Sequence, residues 1–327
     1  MKRFAGPMIA AALALSAGTG GAFAQASDYP SETVTILVGF SAGGATDILA
    51  RALAEGLQQE LGGTFVVENR AGASGAVAAQ ALAQSEPDGY TLMLTAGSAM
   101  TINVHMPPKP PYDSLKDFTY ITQLAANDGV LAVSNNLPVK SFDEFVAYAK
   151  EHGDELSYGV SGIGSPTHLG TELLKDALGI EMTHVPYQGD AKVAVDVISG
   201  TLPVGVMALP SVVGQLKDGQ MRPIAVLGTT DYADFPGVPN IGSLGYPDNT
   251  VQTWLGLIGP AGMPKDLVDK LYQASKKVMA SDKMVAHMKT QNSNIVASSP
   301  EEFTAYVNDE YKKWGDVVTS LGLDKKQ

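Results

Sequence analysis

Hydrophobic positions along this chain switch period in a regular alternation. Thr33 to Val38 (TVTILV) is a nearly continuous β-prone run, the pattern of a strand covered on both faces. Asp47 to Leu61 then reads as a helix, with Ile48, Ala52, Leu53, Leu57 and Leu61 on one stripe and Gly62-Gly63 ending it. Phe65 to Val67 and Tyr90 to Leu94 read as the next strands, with an Ala-rich helix from Ala76 to Gln84 between them. A second series starts near Val130. Residues 130–133, 157–161, 182–185, 204–208 and 224–227 read as strands. Ser141 to Glu144 fits a capping box opening a helix to about Glu151, and 167–178 and 191–199 read as two more helices. Asp231 to Asn249, rich in Pro, Gly and Asp, reads as a loop or linker. Beyond it, Pro264 to Ala280 is amphipathic, and Ser299-Pro300-Glu301-Glu302 starts a last helix carrying Phe303, Val307, Tyr311, Trp314 and Val318 toward a core. The alternation predicts an α/β protein with mostly parallel sheets in two units. The helical tail is expected to return to the first unit.

Composition narrows the class. Zero cysteines exclude a disulfide framework, a thiol nucleophile and a Cys-based metal site. The start has the layout of a secretory signal peptide over residues 1–24: Lys2 and Arg3, the apolar run Met8 to Ala17, and the small-x-small site Ala22-Phe23-Ala24. Gly18 to Gly21 interrupt the run after about ten residues, half of what a membrane span needs. With no cysteine near the cut to take a lipid, the expected product is a soluble exported protein. Losing Lys2 and Arg3 takes the formal charge from −12 to −14. An acidic chain without basic clusters is a poor partner for nucleic acid or anionic membrane.

Two turns hold the candidate chemistry. The first strand empties into Gly39-Phe40-Ser41-Ala42-Gly43-Gly44-Ala45-Thr46-Asp47, directly before a helix. The second turn, Ser161-Gly162-Ile163-Gly164-Ser165-Pro166-Thr167-His168, follows a short strand in the other unit. Glycines there let backbone approach a ligand, and a helix N-terminus offers free N–H groups and partial positive charge. Either turn alone could be a plain βα connection. One in each unit suggests a ligand clasped between the two. The first lacks a Walker Lys-Ser/Thr and full G-x-G-x-x-G spacing, so nucleotide binding is not supported. No G-x-S-x-G is present, and no histidine pair has metal-ligand spacing, so no catalytic residue, cofactor or metal is expected. His168 reads as a structural hydrogen bonder, Glu172, Asp196 and Asp218 as solvated helix acids, and Trp254 and Trp314 as packing residues.

These turns, with Tyr29-Pro30, Ala50-Arg51, the 66–75 segment VVENRAGASG, Pro87-Asp88-Gly89-Tyr90, Asp117-Phe118, the 147–150 segment AYAK, His184-Val185-Pro186-Tyr187, Pro236-Gly237-Val238-Pro239 and Trp254-Leu255-Gly256-Leu257, resemble in order the Bug family. These are the periplasmic solute-binding proteins of tripartite tricarboxylate transporters. The resemblance implies a two-domain, type II-like Venus-flytrap fold with two crossover strands: residues 28–127 and 253–327 in one domain, 128–252 in the other. It implies carboxylate recognition by Phe40, Ser41, Ala42, Gly43, Thr46 and Asp47 on one side and Gly162, Gly164, Ser165, Thr167 and His168 on the other, with Ser98 a third element. The implied role is capture by a monomer and delivery to inner-membrane permease subunits; a ligand sensor feeding a signalling receptor and an exported hydrolase are the rivals. Two departures stand out. The family often has Tyr-Lys-Gly where this chain has Tyr187-Gln188-Gly189, which puts Gln188 among the site candidates. It also commonly has an acid near the end of the strand written here Val204 to Ala208. Without that acid an ammonium group loses its partner, and Met207 suggests an apolar wall. The expected ligand is therefore a non-amine di-/tricarboxylate or aromatic carboxylate.

Overall fold

The computed structural model describes residues 29–325; the expected signal segment lies outside them. The first sheet is built from β1 (Thr33–Val38), β2 (Thr64–Asn69) and β3 (Thr91–Ala96), joined by α1 (Ala45–Leu61) and α2 (Ala76–Ala83). β1 lies parallel between β2 and β3, an order of 2-1-3 that places a topological switch point beside the carboxyl end of β1. Next comes β4 (Phe118–Val133), which belongs to both sheets. The second sheet follows with α3 (Phe142–His152), β5 (Ser157–Val160), α4 (Pro166–Leu178), β6 (Thr183–Pro186), α5 (Asp190–Ser199), β7 (Val204–Ala208), α6 (Leu209–Lys217) and β8 (Arg222–Leu227). β5 again lies parallel between β6 and β7, repeating the 2-1-3 order.

β9 (Gln252–Pro260) brings the chain back. It runs antiparallel to β4 from Asp128↔Gln252 to Phe118↔Pro260 and antiparallel to β3 on its other side. The remainder of β4, Gly129 to Val133, pairs with β7 and β8 instead. β4 and β9 thus lead from one sheet to the other. The tail comprises α7 (Lys265–Met279), α8 (Asp282–Thr290), β10 (Asn294–Ile295), which pairs with β4, and α9 (Pro300–Ser320).

Both sheets are covered on both faces, which is why their strands read as apolar runs. On one face of the first sheet, Leu53 and Leu57 of α1 and Leu271, Ala274 and Val278 of α7 pack with Val34, Ile36 and Val38. On the other, α2 and α9 bring Ala79, Leu82, Phe303 and Val307 against Leu37, Met93 and Trp254. The tail therefore packs on the first unit, as its periodicity suggested. The second sheet carries α3 and α4 on one face and α5 and α6 on the other.

Two local expectations need correction. The buried stripe of α1 runs through Leu49, Ala50, Leu53, Ala54 and Leu57, and Ile48 is exposed at 41% because it faces outward from the first turn. At α3 the Ser141 hydroxyl caps Glu144 N–H, but the Glu144 carboxylate reaches Lys140 N–H at 2.7 Å, so only half of a capping box forms there. The complete box is at α9, where Ser299 and Glu302 cap each other. No helix among the described residues is long and apolar enough to cross a membrane.

Candidate functional site

The two switch points face one cleft of about 500 Å³, a volume suited to a small molecule. Its wall is assembled from four helix starts. Gly44, Ala45 and Thr46 open α1; Ser165, Pro166 and Thr167 open α4; Gly189 and Asp190 open α5; Ala208, Pro210 and Ser211 open α6. Each helix start leaves N–H groups that precede its first internal bond, such as Ile48 N–H to Gly44 C=O at 2.9 Å in α1. The partial positive ends of four helices converge on one space. Side chains add donors: Ser98 after β3, Asn103, Ser74, Ser161, Thr253, and Asn127 where β4 leaves the first sheet. No Lys, Arg or His lines the cleft among the described residues. Anion recognition here would rest on dipoles and hydroxyls alone.

Close packing holds the turns in place. A side chain at Gly39 would put its Cβ 2.5 Å from the Gly75 Cα, so glycine lets the first turn lie against the 73–75 turn. Gly164 has φ +70°, and its Cβ would sit 2.3 Å from the Met106 sulfur, which ties the second turn to the other side of the cleft. The Thr167 hydroxyl sits 3.0 Å from Ser161 Oγ, 2.9 Å from Ser165 Oγ and 3.3 Å from Ser161 N, linking three cleft residues into one polar network.

Seven of the expected residues line the cleft: Phe40, Thr46, Ser98, Gly162, Gly164, Ser165 and Thr167. The other seven do not. Ser41, Ala42 and Gly43 are exposed on the outer rim of the turn. The Gly43 N–H is already given to Asp47 Oδ2 at 2.8 Å. Asp47 is buried and serves as a brace: its carboxylate also holds Arg51 and Asn69, and the Arg51 side chain drives its carboxyl down to about 2. Gln188 is exposed and holds Lys192 at 2.9 Å. Met207 is fully buried in the core under α5 and α6, on the opposite face from Val206, so it is not an apolar wall of the cleft.

His168 is buried, and its Nδ1 accepts the Gly164 N–H at 3.1 Å. Burial first, and the neighbouring His184 second, push its pKa down to about 4, so the ring is neutral near pH 7. His168, Glu172 and His184, unpaired in sequence, converge with ligand atoms within 4.8 Å of one another. They do not make a metal-ligand set. With Nδ1 accepting a backbone N–H, the neutral ring carries its proton on Nε2 and offers a cation no lone pair. Glu172 is no solvated helix acid either: it is bonded to Tyr158 and to Lys175 Nζ at 2.8 Å. Asp196 likewise accepts the Tyr187 hydroxyl at 2.7 Å.

Sequence reasoning missed the cleft residues that come from outside the two turns: Ser74, Asn103, Asn127, Asp190, Ser211 and Thr253. Asp190 changes the chemistry most, because it brings an acid into the cleft although the strand Val204 to Ala208 supplies none. Its signal was the G-D pair opening a helix straight after a strand, the same arrangement that marked the two turns.

A two-domain α/β fold with helix starts meeting at paired switch points defines a solute-binding architecture. The family model for the tripartite tricarboxylate transporter family receptor matches residues 49–323. BugT of Bordetella pertussis is 31% identical over 303 residues, covering 92% of this chain and 93% of BugT. Among solved structures, R. palustris Rpa4515 with adipate has a TM-score of 0.80 at 32% identity, covering 90% of this chain and 99% of that one. MatC from Rhodopseudomonas palustris with bound malate has a TM-score of 0.75 at 28% identity, covering 89% and 100%. The chain belongs to the tripartite tricarboxylate transporter receptor family, the Bug proteins.

Proposed function

We propose that this protein captures a small organic carboxylate in the cleft and delivers it, in the periplasm, to the inner-membrane permease of a tripartite tricarboxylate transporter. The observation that carries this reading is the convergence of four helix N-termini and a set of hydroxyls on a cleft with no cationic side chain among the described residues. Adipate and malate in the two solved relatives support the ligand class. Residues 28–127 with 253–327 would move as one lobe and 128–252 as the other, with β4 and β9 as the hinge. Closure follows from the ligand bridging the first turn and the second, which gives the closed state the higher affinity. Export through the residue 1–24 segment places the protein where it meets its ligand. The hydroxyls and helix starts that line the cleft support a binding role.

A thermal-shift screen of dicarboxylates, tricarboxylates, aromatic acids, amino acids and sugars tests the reading. A ligand at 100 times its Kd stabilises the native state by about 2.7 kcal/mol. Acids are expected to raise the melting point and sugars to leave it unchanged. A shift with sugars alone would refute the carboxylate reading. Lost uptake of the identified acid on deletion of the protein is expected for a transport receptor; normal uptake with lost gene induction would mark a sensor.

A further inference from the structure

Asp190 is the one ionisable residue lining the cleft among the described residues. Its Oδ2 accepts the Ala208 N–H at 3.2 Å, and a hydrogen bond from the Ser211 side chain to the carboxylate also favours the ionised form. Its Oδ1 is buried and has no hydrogen-bond partner. A buried carboxylate oxygen left open at a ligand cleft calls for a partner from the ligand. We infer that Asp190 recognises a second carboxylate on the ligand by sharing a proton with it through Oδ1, so that capture of a dicarboxylate takes up one proton from solvent.

The inference rests on the carboxylate reading above. Two carboxylates side by side in a poorly solvated site cannot both stay ionised, and one proton between them turns repulsion into a short hydrogen bond. The proton belongs on Oδ1, because Oδ2 already acts as an acceptor. It comes from water, and no bond other than this O–H forms or breaks. Burial supports the assignment, holding the Asp190 carboxyl up at about 6 with no charged neighbour contributing. The titratable groups on the surrounding elements are engaged elsewhere. Lys192 is held by Gln188 and Asp196 by Tyr187. His168 takes the Gly164 N–H, with Glu172, Lys175 and His184 clustered behind it. Lys217 pairs with Asp234, and Asp47 across the cleft pairs with Arg51.

Titration calorimetry with adipate, malate and hexanoate from pH 5.5 to 8.0, in buffers of different ionisation enthalpy, tests this. Wild type is expected to take up close to one proton per adipate at pH 8. Its adipate affinity should fall about tenfold per pH unit above pH 7, and hexanoate, with no second carboxylate, should show neither effect. Asp190→Asn donates permanently from its amide, so its adipate affinity should be independent of pH and at least match wild type at pH 8. Adipate binding without proton uptake overturns the inference. So does an Asp190→Asn variant that loses adipate at every pH, the outcome expected if Oδ1 receives a ligand hydroxyl or ammonium. The proton count on the unmodified protein needs no variant. If none of the three acids bound at any pH, the carboxylate reading itself would fall, and this inference with it.

Discussion

At the scale of single residues, the second turn depends on one neutral histidine. His168 keeps Gly164 in place only while Nδ1 has a free lone pair, and protonation would set an N–H against an N–H. In the unfolded chain its pKa returns to about 6.5, against about 4 in the fold, where burial excludes the charge. The unfolded state therefore binds more protons between those values, and stability drops as pH falls from 6.5 through 4. Asp190 acts in the opposite sense. Its folded pKa of about 6 lies above the unfolded value of 3.8, so its contribution grows as pH falls through the same range. The His168 effect is thus read as a difference between variants. His168→Gln keeps an acceptor for Gly164 and cannot be protonated. Relative to wild type it should lose less stability between pH 6.5 and 4, by at most about 3 kcal/mol. Urea unfolding of both proteins across that range measures the difference, and parallel curves would show that His168 does not titrate on unfolding.

At the scale of elements, the passage between the sheets is held by a buried acid. Asp128, fully buried at the last β4–β9 pair, accepts the Tyr232 hydroxyl at 2.8 Å, Gln252 Nε2 at 2.6 Å and Asn294 Nδ2 at 3.2 Å. Those donors come from the loop after β8, from β9 and from β10, so one carboxylate fastens three returning segments to β4. Asp128→Ala leaves three half-buried donors without their charged acceptor and should cost about 2–3 kcal/mol. The urea midpoint measures it, with an unchanged slope if the fold is otherwise kept. This same acid explains why β4 was barely legible. Gln123, Asn127 and Asp128 are buried in its middle, and they break the apolar run so that only Val130 to Val133 reads as strand. α6 was missed because Pro210 and Gly214 weaken its helical pattern, although Pro in the first turn is a normal start. The two candidate turns were legible because glycines and hydroxyls follow a strand and open a helix within nine residues. Asn127, Asp190 and Ser211 share no local motif with those turns. Only the paired 2-1-3 sheets and the crossing of β4 bring them to the same space.

At the scale of the whole molecule, the far field and the near field have opposite signs for an anion. The chain carries a formal charge of −12, which repels a dicarboxylate at long range. An anion in the cleft would meet helix N-termini and hydroxyls, whose attraction fades within the first turn of each helix. Salt acts on these two fields differently. The screening length falls from about 30 Å at 0.01 M to about 8 Å at 0.15 M, which removes most of the repulsion and leaves interactions at hydrogen-bond distance nearly intact. The association rate constant for adipate should therefore rise a few-fold across that range, with little change in the dissociation rate. A cleft lined by Lys or Arg would give the reverse sign, because salt would then screen an attraction. Stopped-flow fluorescence reads this directly. Trp254 is buried with its indole nitrogen 2.5 Å from where a Cβ on Gly97 would stand, one residue before the cleft residue Ser98. A rate that fell with salt would mean that a cation guides the ligand in, and that dipoles alone do not account for capture.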